Sequence, residues 1–148
     1  LEQTEQELFC FTGNMSWLHL VEDNIPVLRA LEDLLKRKVH IRMVGRVDLS
    51  VMENLNKISR LLTKYAGQIE IHHAMQPLRG FIIDNKVVRL KDEKEAKLYR
   101  KGELKGDLRV FYDIYDPEWI YWIQQVFWNL YRGSPTAEQR IEELKKIF

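Results

Sequence analysis

Apolar positions along the chain follow two rhythms, one of period two and one of about 3.6, and their order spells β-α-α-β-α-β-ββ-β-α-α. Glu7 to Thr12 is a short apolar and aromatic run closed by Gly13-Asn14, which predicts a buried strand and a turn. A short helical piece follows over Met15 to Val21. Asn24 then reads as the N-cap of a helix with Pro26 in its first turn and Ile25, Leu28, Leu31, Leu34 and Leu35 on one face. Val39 to Val44 alternates apolar and polar, a second strand ending at Gly45. Ser50 and Glu53 have capping-box spacing ahead of Val51, Leu55, Ile58, Leu62 and Tyr65, a helix that Gly67 stops. Gln68 to His72 is a third strand.

The second half is read in the same way. Gly80 to Asp84 and Val87 to Leu90 face each other across Asp84-Asn85-Lys86, a tight hairpin. Lys91 to Asp107 is almost wholly charged and reads as a mobile excursion or lid, and Leu108 to Tyr115 returns as a strand. Asp116-Pro117 opens a helix whose stripe, Trp119, Ile120, Trp122, Ile123, Val126, Phe127, Leu130 and Tyr131, is broad enough for two partners. Thr136 and Gln139 cap a last helix with Ile141, Leu144 and Ile147 inward. Strands alternating with crossover helices predict an α/β fold: a mixed, mostly parallel sheet flanked by helices.

Composition narrows the function classes. The 148 residues are 45% apolar and 30% charged, which suits one domain over 1–148 with a sizeable core. Basic and acidic side chains number 23 and 22, a formal charge of +1, so gripping a phosphate backbone is not this domain's own task. Cys10 is the sole cysteine and sits in the apolar run Leu8-Phe9-Cys10-Phe11, where a buried, inert thiol in a reducing cytoplasm is the expectation. No apolar run reaches the ~18 residues of a membrane span. The opening at Leu1 reads as a cut edge of a longer chain.

Candidate chemistry is sparse. No Gly-rich phosphate loop and no GxSxG occur. His72 and His73 are adjacent on a strand and point to opposite faces, so they do not readily share a metal. Residues at the C-terminal ends of the strands, where open α/β sheets place ligands, include Asn14 after the first strand, Arg46 and Asp48 after the second, His73 after the third, and Arg79 before the hairpin. Asn14 could equally make a turn, Asp48 steady a helix start, and Asp84 shape its hairpin. Arg79, next to the all-apolar Gly80 to Ile83, must find a partner or a cavity. Trp119, Trp122, Phe127 and Trp128 suit core or interface better than sugar stacking.

The stretch Pro77-Leu-Arg79-Gly-Phe-Ile-Ile-Asp84, with its hairpin, resembles the phospholipase D superfamily motif His-x-Lys-x4-Asp. The resemblance puts Arg79 at the phosphate-binding Lys position and Asp84 at the supporting Asp position. The nucleophilic His position is Pro77, which has no side-chain nucleophile, so the resemblance implies a retained frame without the reaction. The Arg in place of Lys, the Asp-Asn-Lys hairpin and the closing Trp-rich helix resemble the C-terminal domain of archaeal TrmB-family transcription regulators. That likeness implies a catalytically inactive effector-binding and dimerisation domain without cofactor or metal. Its small-molecule effector would be a sugar or an anion, met by Arg79, His73, Asp84, Arg46 and Asn14. It further implies a homodimer, with DNA contacted through an N-terminal winged helix-turn-helix. The alternative is a phosphodiesterase or nuclease with its nucleophile displaced to His72 or His73.

Overall fold

The computed structural model describes residues 3–22, 24–94, 106 and 108–147. Its strands are β1 (Glu7–Phe11), the two-residue β2 (Val21–Glu22) and β3 (Ile25–Pro26), β4 (His40–Gly45), β5 (Ile69–His73), β6 (Gly80–Ile83), β7 (Val87–Lys94) and β8 (Leu108–Ile114). The α-helices are α1 (Val27–Lys36), α2 (Met52–Lys64), α3 (Pro117–Arg132) and α4 (Ala137–Ile147), with 3-10 turns at Ser16–His19 and Leu49–Val51. Six strands form one sheet in the order β5-β4-β1-β6-β7-β8, and β2 and β3 pair separately.

The mixed α/β sheet flanked by helices is as the sequence predicts, but it is not mostly parallel: among the described residues three of its five pairings are antiparallel, because β8 extends the hairpin as a meander. Its parallel part is β5, β4 and β1, joined through α1 and α2, while β6 returns antiparallel to β1 and is followed by the β7 and β8 meander. Alternation along the strands divides the core in two. Leu8, Cys10, Ile41, Met43, Ile69 and Ile71 pack under α1 and α2. Phe9, Phe11, Val44, Ile82 and Val88 pack under Ile120, Ile123, Phe127 and Tyr131 of α3. Phe127 is the anchor of the second layer, stacked on Phe9 at 4.7 Å and edge-on to Phe11 at 5.5 Å.

Helix ends show which local signals were decisive. Asp116 accepts from Glu118 N–H at 2.8 Å with Pro117 following, and Thr136 and Gln139 exchange reciprocal bonds of 2.9 and 3.1 Å, a complete capping box. Two others differ from expectation. Asn24 is not a cap but the φ +65° turn residue between β2 and β3, and α1 starts at Val27 behind Pro26. Ser50 does not open a capping box either; Asp48 accepts from Ser50 N–H at 2.9 Å and caps the 3-10 turn that leads into α2. Ile147 is exposed rather than inward.

The hairpin after β6 is a two-residue turn. Asp84 and Asn85 both have positive φ, 51° and 56°, and Lys86 N–H bonds Ile83 O at 2.9 Å, the mirror-image turn that suits strand twist. Lys91 to Lys94, expected in the charged excursion, belong instead to β7 and pair with Leu108 to Phe111. The remainder, 95–105 and 107, lies outside the described residues.

Candidate functional site

The C-terminal ends of β1 and β4 and the start of antiparallel β6 share one end of the sheet, and a two-compartment cleft opens there. One compartment, about 390 Å³, is mainly apolar and bounded by Trp17, Leu20, Val27, Phe81, Ile83 and Phe111. The other, about 430 Å³, is polar and bounded by Asn14, Ser16, Arg46, Pro77, Asp92 and Glu93. Thr12, Trp17, Arg79 and Lys91 line both. Arg79, Arg46 and Asn14 are thus brought together as the sequence analysis placed them.

Arg79 is held in an unusual way. Its Nη1 donates to the carbonyls of Gln76 and Leu78, both at 2.8 Å. Nε and Nη2 find no protein partner among the described residues, yet neither is sealed from solvent. The guanidinium lies against Gly13, where a Cβ would stand 2.6 Å from Nη2 and 2.8 Å from both Cζ and Nε. Glycine at 13 therefore makes room for this cation. The surrounding loop is tied to β1: Gln76 Nε2 donates to Thr12 O at 3.1 Å, its Oε1 accepts from Leu78 N–H at 2.7 Å, and Thr12 Oγ1 accepts from Trp17 Nε1 at 3.0 Å.

The other cations of the cleft have acidic neighbours. Arg46 Nε is 3.0 Å from Asp48 Oδ2, near enough for an ion pair but not aligned for a hydrogen bond, which leaves that buried N–H without a directional partner. Arg89 pairs with Asp113 at 2.7 Å and Lys91 with Glu93 at 3.1 Å; Arg109 lies 3.9 Å from the same Glu93 oxygen. Hydrogen bonding from Ser50 and the Arg46 charge hold Asp48 below its ordinary carboxylate range. Burial pushes the Cys10 thiol up, against the smaller pull of Arg79, so Cys10 is an inert part of the cleft floor.

Two sequence candidates sit elsewhere. His73 lines neither compartment; its Nδ1 accepts from Val47 N–H at 2.9 Å, which assigns the proton of the neutral ring to Nε2. Burial and then the Arg140 charge depress its pKa below 6.5, against Asp48 and Glu143. Asp84 leaves the far end of β6 and accepts three backbone bonds, from Glu5 at 2.8 Å, Gln6 at 2.7 Å and Glu7 at 2.9 Å. Its carboxylate closes the N-terminal approach to β1. His72 lies on the α3 face, stacked on Tyr131 at 3.6 Å with Nδ1 donating to Tyr131 O. Trp17 and Lys91 belong to the cleft and were not singled out from the sequence. Among the described residues no cluster of three metal-binding side chains occurs, and no helix is long and apolar enough to cross a membrane.

The sequence matches no family profile and no curated protein. Similarity appears in three dimensions. A phospholipase D family member, Nuc from Salmonella typhimurium, superposes with a TM-score of 0.59 over 91% of this chain and 84% of its own, at 12% identity. The fold is phospholipase D-like. The same phospholipase D-like frame is shared with TrmBL2, an archaeal chromatin protein with a novel mode of DNA binding, at a TM-score of 0.64, 13% identity and 90% coverage of this chain. Phosphatidylserine synthase from Haemophilus influenzae Rd KW20 aligns over 98% of this chain at a TM-score of 0.59 and 10% identity. The chain spans 46% of TrmBL2 and 40% of the synthase, so less than half of either.

Proposed function

We propose that this domain is the effector-binding and dimerisation module of a transcription regulator and has no hydrolytic activity. The observation that carries the reading is Arg79: a cation without an acidic partner among the described residues, with Nη1 fixed and the Nε–Nη2 edge left over, lining a cleft in a phospholipase D-like frame. That edge offers two parallel N–H donors, the geometry that receives a planar anion. Pro77, where the resembled motif has its nucleophile, lines the same polar compartment and offers no attacking atom. The fold shared with TrmBL2 supports the regulatory half of the reading. DNA contact would come from a winged helix-turn-helix preceding the domain, and reading the coding sequence upstream of Leu1 checks that directly.

The proposed dimer rests on the aromatic face around the start of α3. Trp119 and Trp122 are 57% and 60% exposed, with their rings 6.2 Å apart, and Tyr115 and Tyr121 are exposed beside them. Such a patch on an otherwise well-filled core suits a second copy of the chain. Sedimentation velocity should show a dimer that Trp119→Ala with Trp122→Ala converts to monomer.

For the sensor role, the test is a thermal-shift screen of sugars, sugar phosphates and simple anions on the wild type and Arg79→Ala. A ligand at about a hundred times its dissociation constant adds ~2.7 kcal/mol, or roughly 5–11 °C in a chain of this size. A shift of that order that is lost in the variant is the expected result. Steady hydrolysis of a phosphodiester by the wild type, abolished by His73→Ala, would overturn the inactive reading. It is not expected, because one His73 nitrogen is engaged by Val47 and the other carries the proton.

A further inference from the structure

We infer that the effector is an amphipathic organic acid: one carboxylate on an apolar body, about ten to thirteen non-hydrogen atoms in all. The inference rests on the sensor reading above and names the ligand class of that same cleft. It follows from three observations about how the cleft divides.

Charge balance comes first. The other cations lining the cleft lie within 4 Å of a carboxylate: Arg46 beside Asp48, Arg89 beside Asp113, Lys91 and Arg109 beside Glu93. Arg79 has no acidic partner among the described residues, and Asp92 and Glu93 stand on the polar wall. A single carboxylate is the simplest match for that one cation.

Geometry comes second. With Nη1 committed to two carbonyls, the free Nε–Nη2 edge fits the two oxygens of a carboxylate side-on. Gly13 leaves space for the guanidinium because no Cβ intrudes.

The third observation is the apolar compartment on the other side of Arg79. It runs from Trp17 and Phe81 past Leu20 and Val27 to Phe111, about 390 Å³ in all. At ~30 Å³ per water-sized atom that is room for roughly a dozen non-hydrogen atoms. Against Trp17, Leu20, Val27, Phe81 and Ile83 a sugar would lose hydroxyl hydrogen bonds to water without replacement, its polar partners in this compartment being confined to Thr12 and the cations Arg79, Arg89, Lys91 and Arg109. An alkyl or aryl chain loses nothing and removes its own apolar surface from water.

The experiment is isothermal titration of the 148-residue chain with octanoate, and with octanamide, acetate, glucose and glucose 6-phosphate as probes. Octanoate should bind, and octanamide, which keeps the chain and loses the charge, should bind at least ~10-fold more weakly. Acetate, which keeps the charge and loses the chain, should also fall by at least ~10-fold. Arg79→Ala and Leu20→Trp should each weaken octanoate by a similar factor, the second by filling the apolar compartment without touching the cation. Circular dichroism melting of both variants confirms that they fold. Equal binding of octanoate and octanamide, or of octanoate and acetate, overturns the inference. Glucose or glucose 6-phosphate binding through Arg79 while octanoate is inert also overturns it but leaves the sensor reading standing. Silence from all five probes overturns it and counts against the sensor reading as well.

Discussion

Asp84 tests whether the two ends of β6 have separate tasks, one holding the sheet and one holding a ligand. Replacing it with glycine keeps the positive φ of 51° accessible while deleting the three bonds from Glu5, Gln6 and Glu7. A buried bond to a charged acceptor contributes about 1.5–3 kcal/mol. Two of these three are exposed, and water can reach the freed N–H groups, so the expected total is nearer ~2 kcal/mol than the simple sum. With a urea slope of about 2 kcal/mol per M, the midpoint should drop by ~1 M. Asp84→Asn should fall between the two, because one oxygen can still serve Gln6 and Glu7 while the amide faces Glu5 N–H donor to donor.

The pH dependence fixes the mechanism. Burial raises the Asp84 pKa, but the three backbone donors and Lys86 outweigh it and leave the group below 3.8. A depressed folded pKa means the contribution is fully present above the unfolded value and is lost as pH falls through the folded one. The gap between wild type and Asp84→Gly should therefore be full at neutral pH and shrink below about pH 4. A gap equal at pH 7 and pH 2.5, or a glycine variant as stable as wild type at pH 7, would refute the reasoning. Octanoate binding by Asp84→Gly should match wild type; a loss would join the two ends of the strand after all.

Other outcomes follow from the packing. Phe127→Ala removes a fully buried ring that stacks on Phe9 and should cost about 3–5 kcal/mol, read as a melting drop of roughly 6–20 °C. Gly80→Ala would set a Cβ 2.0 Å from the Arg89 carbonyl oxygen across the β6 and β7 ladder; melting should fall by well over ~5 °C, and a change within ~2 °C would contradict that contact. Cys10 should resist Ellman's reagent at mild alkaline pH until denaturant is added, because its thiol is buried and its pKa raised; fast labelling would mean the cleft floor opens.

Most of the frame was legible because its signals are local. The Asp116-Pro117 start, the Thr136 and Gln139 box and the Asp84-Asn85 turn each act within four residues, so neighbours in sequence decide them. Asn24 misled because a short polar residue before an apolar helix suits a left-handed turn as well as a cap, and β2 and β3 are too short to leave an alternation. Lys91 to Lys94 misled because an unbroken run of charged residues leaves no alternation to read, and its pairing with Leu108 to Phe111 is tertiary. That error hid Lys91 from the candidate site. The separation of Arg79 from Asp84 was readable: at ~3.4 Å per residue, five steps along an extended strand put about 17 Å between them. His73 was displaced by a contact no spacing reveals, the Val47 N–H on its ring.

Strand β1 is the seam between the parallel and antiparallel halves, and that has a consequence for how the protein is made. Its left neighbour, β4, comes early in the chain, but Cys10 meets Phe81 only after roughly 70 more residues have been added. Until then Leu8 to Phe11 present an open row of backbone donors and acceptors flanked by apolar and aromatic side chains. A nascent or truncated chain that stops before Gly80 should be sticky in proportion, pairing edge to edge with its neighbours. The same strand that organises the finished sheet is thus the part of the young chain most in need of a chaperone.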